Sequence, residues 1–176
     1  MIVSIIGLGY IGLPTAAVLA SKDIKVVGVD VSQYVVDTIN QGKIHIIEPG
    51  LDDLVREAVQ KNNLKAVINP EKADVFMIAV PTPFKGNHEP DLSYIRLAAK
   101  AIAPVLEKGN LVILESTSPV GATEKMMTWM QEERLDLSFP EFGNNNFIAD
   151  IAVAHCPERV LPGQVVRELI ENDRII

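Results

Sequence analysis

From Ile2 to Ser21 the chain carries no charged residue, yet Gly7, Gly9, Gly12 and Pro14 break the stretch. An uninterrupted apolar run of that length would suit a membrane span. The glycines and the proline argue against one, and no basic residue precedes the run as in a secretory leader. The residues are better satisfied by a short strand over Ile2–Ile6, a tight glycine turn, and a packed helix of small and apolar side chains from Tyr10 to Ala20.

The same alternation continues. Lys25–Val29 reads as a strand. A helix follows to about Asn40, with Ser32 as its N-cap and Gly42 as its stop. Leu51 to Gln60 has apolar residues at helical spacing, and Leu64–Ile68 is a third strand. Val75–Val80 has six apolar residues between Asp74 and Pro81, as expected of a strand covered on both faces. Pro81 to Pro90 reads as a loop, with Asp91 or Ser93 capping a helix to about Leu106. Leu111–Leu114 is a buried strand, and Gly121 to Glu133 a helix. Arg134 to Asp150 is irregular, with Asn144, Asn145 and Asn146 exposed. Ile151–His155 is a last strand, and a helix starts at Val165. Strands alternating with helices predict an α/β fold: a Rossmann-type, doubly wound, mostly parallel six-stranded sheet in the order 3-2-1-4-5-6. Right-handed crossovers then bring Gly7, Asp30, Val80, Glu115 and Cys156 to one rim.

Gly7-Leu8-Gly9-Tyr10-Ile11-Gly12 is a GxGxxG following a strand and opening a helix, and Asp30 stands 18 residues beyond Gly12. The spacing is close to the roughly 20 of a dinucleotide fingerprint. Gly7 permits the turn, Gly9 lets a pyrophosphate approach the backbone, and Gly12 lets helix and strand pack closely. The helix N-terminus offers N–H groups and a positive dipole end. Asp30 can accept bonds from ribose hydroxyls and would repel a 2′-phosphate, favouring NAD over NADP. The alternatives are a glycine turn of another doubly wound protein, such as a methyltransferase or flavoprotein, and a merely capping or surface Asp30.

Thr82 leaves the fourth strand in a proline-fixed loop, either facing a cofactor or sitting in a rigid turn. The hydroxyls of Ser116, Thr117 and Ser118 are expected to cap the following helix. Cys156 is expected to be a small buried residue rather than a nucleophile. With 16 basic and 23 acidic residues, the net charge is −7. That balance lacks the footprint of a nucleic-acid or anionic-lipid binder. A lone cysteine excludes an internal disulfide and fits a reducing cytoplasm. His45, His88 and His155 have no metal-ligand spacing, so no metal is expected.

Taken together, Ile5–Pro14, Glu48-Pro-Gly-Leu51, Val80-Pro-Thr-Pro83, Asp91–Tyr94, Leu114–Gly121 and Cys156-Pro-Glu-Arg-Val-Leu-Pro-Gly163 resemble the N-terminal, NAD-binding domain of the UDP-glucose/GDP-mannose dehydrogenase family. Arg159 after the glutamate, and the Pro81–Pro90 segment, resemble the branch acting on UDP-N-acetyl-D-mannosamine. His45 departs from the proline common in the family. The resemblance implies NAD-dependent oxidation of a sugar C6 alcohol to a carboxylate. It implies cofactor contacts from Tyr10, Ile11, Asp30, Thr82, Thr117 and Thr123, acid/base work by Glu158, and nucleotide-sugar contacts from Arg159 and Val160. It also implies that residues 1–176 are the cofactor domain only, without the family's central dimerisation helix, covalent cysteine, catalytic lysine and C-terminal domain. The complete enzyme is then expected to be a homodimer, and this chain alone a monomer or weak dimer that binds NAD without turnover. A non-catalytic NAD-binding or regulatory module is the alternative. So is a dehydrogenase for another nucleotide-sugar, of the UDP-glucose type. An NAD enzyme of another class, the hydroxyacyl-CoA or 6-phosphogluconate type, shares only the opening fingerprint.

Overall fold

In the computed structural model, which describes residues 1–86, 88–141 and 148–173, six parallel strands carry the fold. They are β1 (Ile2–Ile6), β2 (Lys25–Val29), β3 (Leu64–Val67), β4 (Val75–Ile78), β7 (Leu111–Leu114) and β8 (Ala152–His155), with β5 (Phe84–Lys85) and β6 (Glu89–Pro90) forming a separate antiparallel hairpin. The sheet order is β3-β2-β1-β4-β7-β8, the doubly wound order read from the sequence, and every pairing is parallel. The helices are α1 (Gly12–Ser21), α2 (Gln33–Asn40), α3 (Leu51–Gln60), α4 (Ser93–Ile102), α5 (Ala122–Glu133) and α6 (Val165–Glu171).

The core lies in two layers. Val3, Ile5, Leu8, Leu13, Ala16, Val35, Ile39, Leu51 and Val55 pack on the face covered by α1, α2 and α3. Phe76, Ile78, Ile95, Ile102, Leu114, Met126 and Met130 pack on the face covered by α4 and α5. A buried side chain of this size contributes about 1.5–3 kcal/mol. The ion pairs, such as Lys61–Glu57 with side chains 55% and 62% exposed, contribute little beside that.

The local expectations fail where a nearby group offers a better partner. Ser32 caps nothing with its hydroxyl; instead its amide donates to Asp30 Oδ1 at 2.9 Å. The hydroxyls after β7 do not cap α5: Ser116 Oγ donates to Val80 O at 2.7 Å and Thr117 Oγ1 to Glu158. β4 ends at Ile78, and on one face Val75 and Met77 are only half-buried. That face continues into an apolar groove lined by Leu19, Met77, Ile113, Cys156 and Leu169. The Pro81–Pro90 loop holds the β5–β6 hairpin. Pro104 converts the end of α4 into a turn of 3-10 helix over Ala103–Val105. Asp91 stands ahead of the α4 cap position, and its Oδ1 accepts the Ser93 amide. Residues 134–141 and 148–150 carry no helix or strand, while Asn144, Asn145 and Asn146 lie outside the described residues.

Three carboxylates are held in their charged form by close partners. The Lys85 ammonium and the Ser93 hydroxyl and amide hold Asp91 at about 2, below its ordinary 3.8. Arg134 holds Asp136 at about 2. The Ser138 amide, with Lys108, lowers Asp150. Depressed carboxylates stabilise the fold above their unfolded value and lose that contribution as pH falls through the folded value. Stability to urea is therefore expected to drop between about pH 4 and pH 2. In Asp91→Asn that acid limb becomes shallower; an unchanged acid limb in this variant would refute the assignment.

Candidate functional site

The C-terminal ends of β1, β2, β4, β7 and β8 form one rim, and the chain leaves that rim after each of these strands. At its centre the glycine turn joins β1 to α1. Gly7 has φ +94°, and a Cβ on it would lie 2.7 Å from Ala79 O. A Cβ on Gly12 would lie 1.8 Å from Gly7 O, so helix and turn leave no room for a methyl group. Gly9 is the opposite case: a Cβ there meets nothing within 4 Å. Its missing side chain leaves an open hollow over the backbone at the start of α1. That helix has no side-chain cap; the Leu13 amide is taken by Gly9 O at 3.1 Å, and the positive end of the helix lies at the hollow. Tyr10, 55% exposed, and half-buried Ile11 border it.

Leu8, between the first two glycines of the turn, is a core residue: it is fully buried against Gly28, where a Cβ would lie 2.7 Å from Leu8 Cδ2. Beside it Asp30 closes the β2 end of the hollow. Asp30 Oδ2 accepts the Leu8 amide at 3.0 Å and Oδ1 the Ser32 amide at 2.9 Å. Its carboxylate is therefore fixed against the glycine turn, with lone pairs left for further donors.

On the other side of β1, four predicted residues come together. Thr82 Oγ1 donates to Thr117 O, and Thr117 Oγ1 donates to Glu158 Oε1 at 3.2 Å. Glu158 Oε2 accepts the Val160 amide at 3.2 Å, and the Glu158 amide donates to Glu115 O at 3.3 Å. The loops after β4, β7 and β8 are thus laced side to side around one half-buried carboxylate. Such a group, held by neutral donors at an open rim, can pass a proton to or from a ligand. Arg159 projects beside it, exposed, with its carbonyl accepting the Asn172 side-chain amide at 3.1 Å. Thr123 stands apart, in a groove with Ser118, Gly121 and His155 between α5 and β8. Cys156 is 5% exposed, as expected of a packed residue.

Sequence reasoning gave no role to two carboxylates close to the rim. Glu115 is fully buried and meets Thr15 Oγ1 at 3.5 Å. Glu48, 4% exposed, accepts the amides of Gly163 and Val165. The Glu-Pro-Gly motif at Glu48 was the available signal, but its partners stand more than a hundred residues away. Among the described residues no cluster of His, Cys, Asp and Glu has the makings of a metal site, and no helix is long and apolar enough to cross a membrane.

The sequence pattern of the UDP-glucose/GDP-mannose dehydrogenase family, NAD binding domain, matches residues 1–176. A UDP-N-acetyl-D-mannosamine dehydrogenase of Campylobacter jejuni is 68% identical over 175 residues, 99% of this chain and 42% of the relative. An NDP-N-acetyl-D-galactosaminuronic acid dehydrogenase of Ralstonia nicotianae is 64% identical over 99% of this chain and 41% of the relative. The solved UDP-D-ManNAc dehydrogenase of Pyrococcus horikoshii is 41% identical and superposes with a TM-score of 0.89, over 99% of this chain and 40% of that one. The chain spans about two fifths of the length of these proteins.

Two of the fingerprint glycines separate by experiment. Gly12→Ala is expected to lose about 3 kcal/mol or more in urea unfolding, since backbone stands in the way. Gly9→Ala is expected to stay within about 1 kcal/mol of the unsubstituted chain. Equal losses in the two variants would contradict the geometry.

Proposed function

Because the chain belongs to the UDP-glucose/GDP-mannose dehydrogenase family as its NAD-binding domain, we propose that residues 1–176 hold NAD for an enzyme that oxidises UDP-N-acetyl-D-mannosamine to UDP-N-acetyl-D-mannosaminuronate. The observation that carries the cofactor reading is the hollow at Gly9: open space above the uncapped start of α1, with Asp30 fixed at its edge. A diphosphate suits the helix end, and ribose hydroxyls suit the remaining lone pairs of Asp30. Gly7 and Gly12 shape the turn, and Tyr10 and Ile11 flank the bound cofactor. Thr82, Thr117 and Thr123 contribute hydroxyls farther along the rim. When bound, NAD supplies a hydride acceptor, in each of two oxidations. Glu158 moves protons at the sugar, and Arg159 and Val160 contact the nucleotide-sugar.

The relatives are more than twice as long as this chain, and a half-open rim neither orients nor desolvates a sugar. We therefore assign the remaining chemistry, and dimer formation, to parts of a longer cytoplasmic protein. The choice of sugar is supported by the named relatives and by Arg159. The Ralstonia relative favours a second 2-acetamido sugar, so UDP-N-acetyl-D-galactosamine belongs in every substrate assay.

Titration calorimetry tests the cofactor. NAD is expected to bind about 5- to 150-fold more tightly than NADP, because Asp30 faces the 2′-phosphate. Asp30→Ala narrows the gap, and equal affinities in the unsubstituted chain would sink the assignment. Assayed alone with UDP-N-acetyl-D-mannosamine, the 176-residue chain is expected to give no NADH. Turnover that disappears in Cys156→Ala would make Cys156 the nucleophile and overturn the division of labour.

A further inference from the structure

Glu48 lies in the loop between α2 and α3, in the β1–β2–β3 half of the molecule, with its side chain buried. A buried carboxylate is costly unless its charge is met. Here the two oxygens are met by two amides: Val165 N–H donates to Oε1 at 2.7 Å and Gly163 N–H to Oε2 at 2.9 Å. Both amides belong to the segment that leaves β8 and opens α6. That helix has no side-chain cap from Gln164, so Glu48 supplies from 117 residues away what the local sequence lacks.

The rest of that segment is held in the same manner. The Val160 amide donates to Glu158 at 3.2 Å and the Leu161 amide to Glu168 Oε2 at 2.7 Å. Charge-assisted bonds of this kind are the stronger ones. They also use up the amides of Val160, Leu161, Gly163 and Val165, so a phosphate arriving here meets carboxylates instead of free N–H groups. Of the two guanidinium groups close to this segment, that of Arg167 faces Glu171 at 3.5 Å, while the exposed one of Arg159 forms no ion pair among the described residues and is left to meet a phosphate's charge.

We infer that Glu48 is a positioning residue for the nucleotide-sugar: from the opposite half of the sheet it fixes the segment 158–165 and thereby the placement of Arg159 and Val160. The inference rests on the substrate role proposed for those two residues. Glu48→Gln keeps the shape but turns an NH2 toward one of the two amides, donor against donor. In the 176-residue chain, hydrogen exchange at Gly163 and Val165 is then expected to quicken about tenfold or more, with β1 and β4 unchanged. In the full-length protein, the KM for UDP-N-acetyl-D-mannosamine is expected to rise about tenfold while that for NAD stays within about twofold. Arg159→Ala alone raises the same KM, and adding Glu48→Gln to it raises it no further, the mark of two residues acting as one. Gly163→Ala has open space for its methyl but strains a φ of +85°. It perturbs the same turn and must give the same pattern should Glu48→Gln fail to fold. Unchanged exchange, a rise in both KM values, or additive effects would each overturn the inference. If Arg159→Ala leaves the sugar KM unchanged, the substrate role of Arg159 fails and the inference with it. If Arg159→Ala raises it and neither Glu48→Gln nor Gly163→Ala does, the inference alone fails.

Discussion

The contact on which the rest depends is the crossing of Gly12 over Gly7. With a clearance too small for a methyl group, α1 starts directly on the end of β1, and its N-terminus is delivered to the centre of the rim. Leu8 is driven down onto Gly28 by the same turn. That brings its amide to the Asp30 carboxylate. A steric requirement of three glycines thus places, with no further device, a helix dipole, an open backbone and an acceptor within one hollow.

The second half of the rim is organised by hydrogen bonding rather than by close packing. Thr82, Thr117, Glu158 and Val160 come from the loops after three successive strands of the sheet, β4, β7 and β8, and are linked in series. Glu48 fastens the far end of that series to the first half of the molecule. Polar links of this type contribute on the order of 1 kcal/mol each, more where a carboxylate accepts. They add little to a fold held by its two apolar layers. Their effect is geometric: they decide where an acid and a guanidinium stand relative to the hollow.

The misread caps have one source. A serine ahead of a helix and hydroxyls ahead of another look like caps, because capping is their commonest local use. In the folded chain Asp30 claims the Ser32 amide. The carbonyl of Val80 claims Ser116, and Glu158 claims Thr117. All three competitors stand at the same rim, and two are remote in sequence. The apolar run at Val75 looked doubly covered, yet α1 reaches over only part of that face of the sheet.

What the sequence determined by itself was carried by apolar period and by the glycine spacing. The period of the apolar residues set the strands and helices, their alternation set the parallel sheet and its order, and the glycine turn with Asp30 set the hollow. The six separated motifs, read together, indicated the family. What only the tertiary structure decided was which remote groups meet: Glu48 with Gly163 and Val165, Thr117 with Glu158, Leu8 with Gly28. Such partners are chosen by the path of the crossovers and by competition among donors for each acceptor. Neither leaves a mark in the local pattern of residues, because a hydrogen bond specifies its partner by position in space and not by distance along the chain.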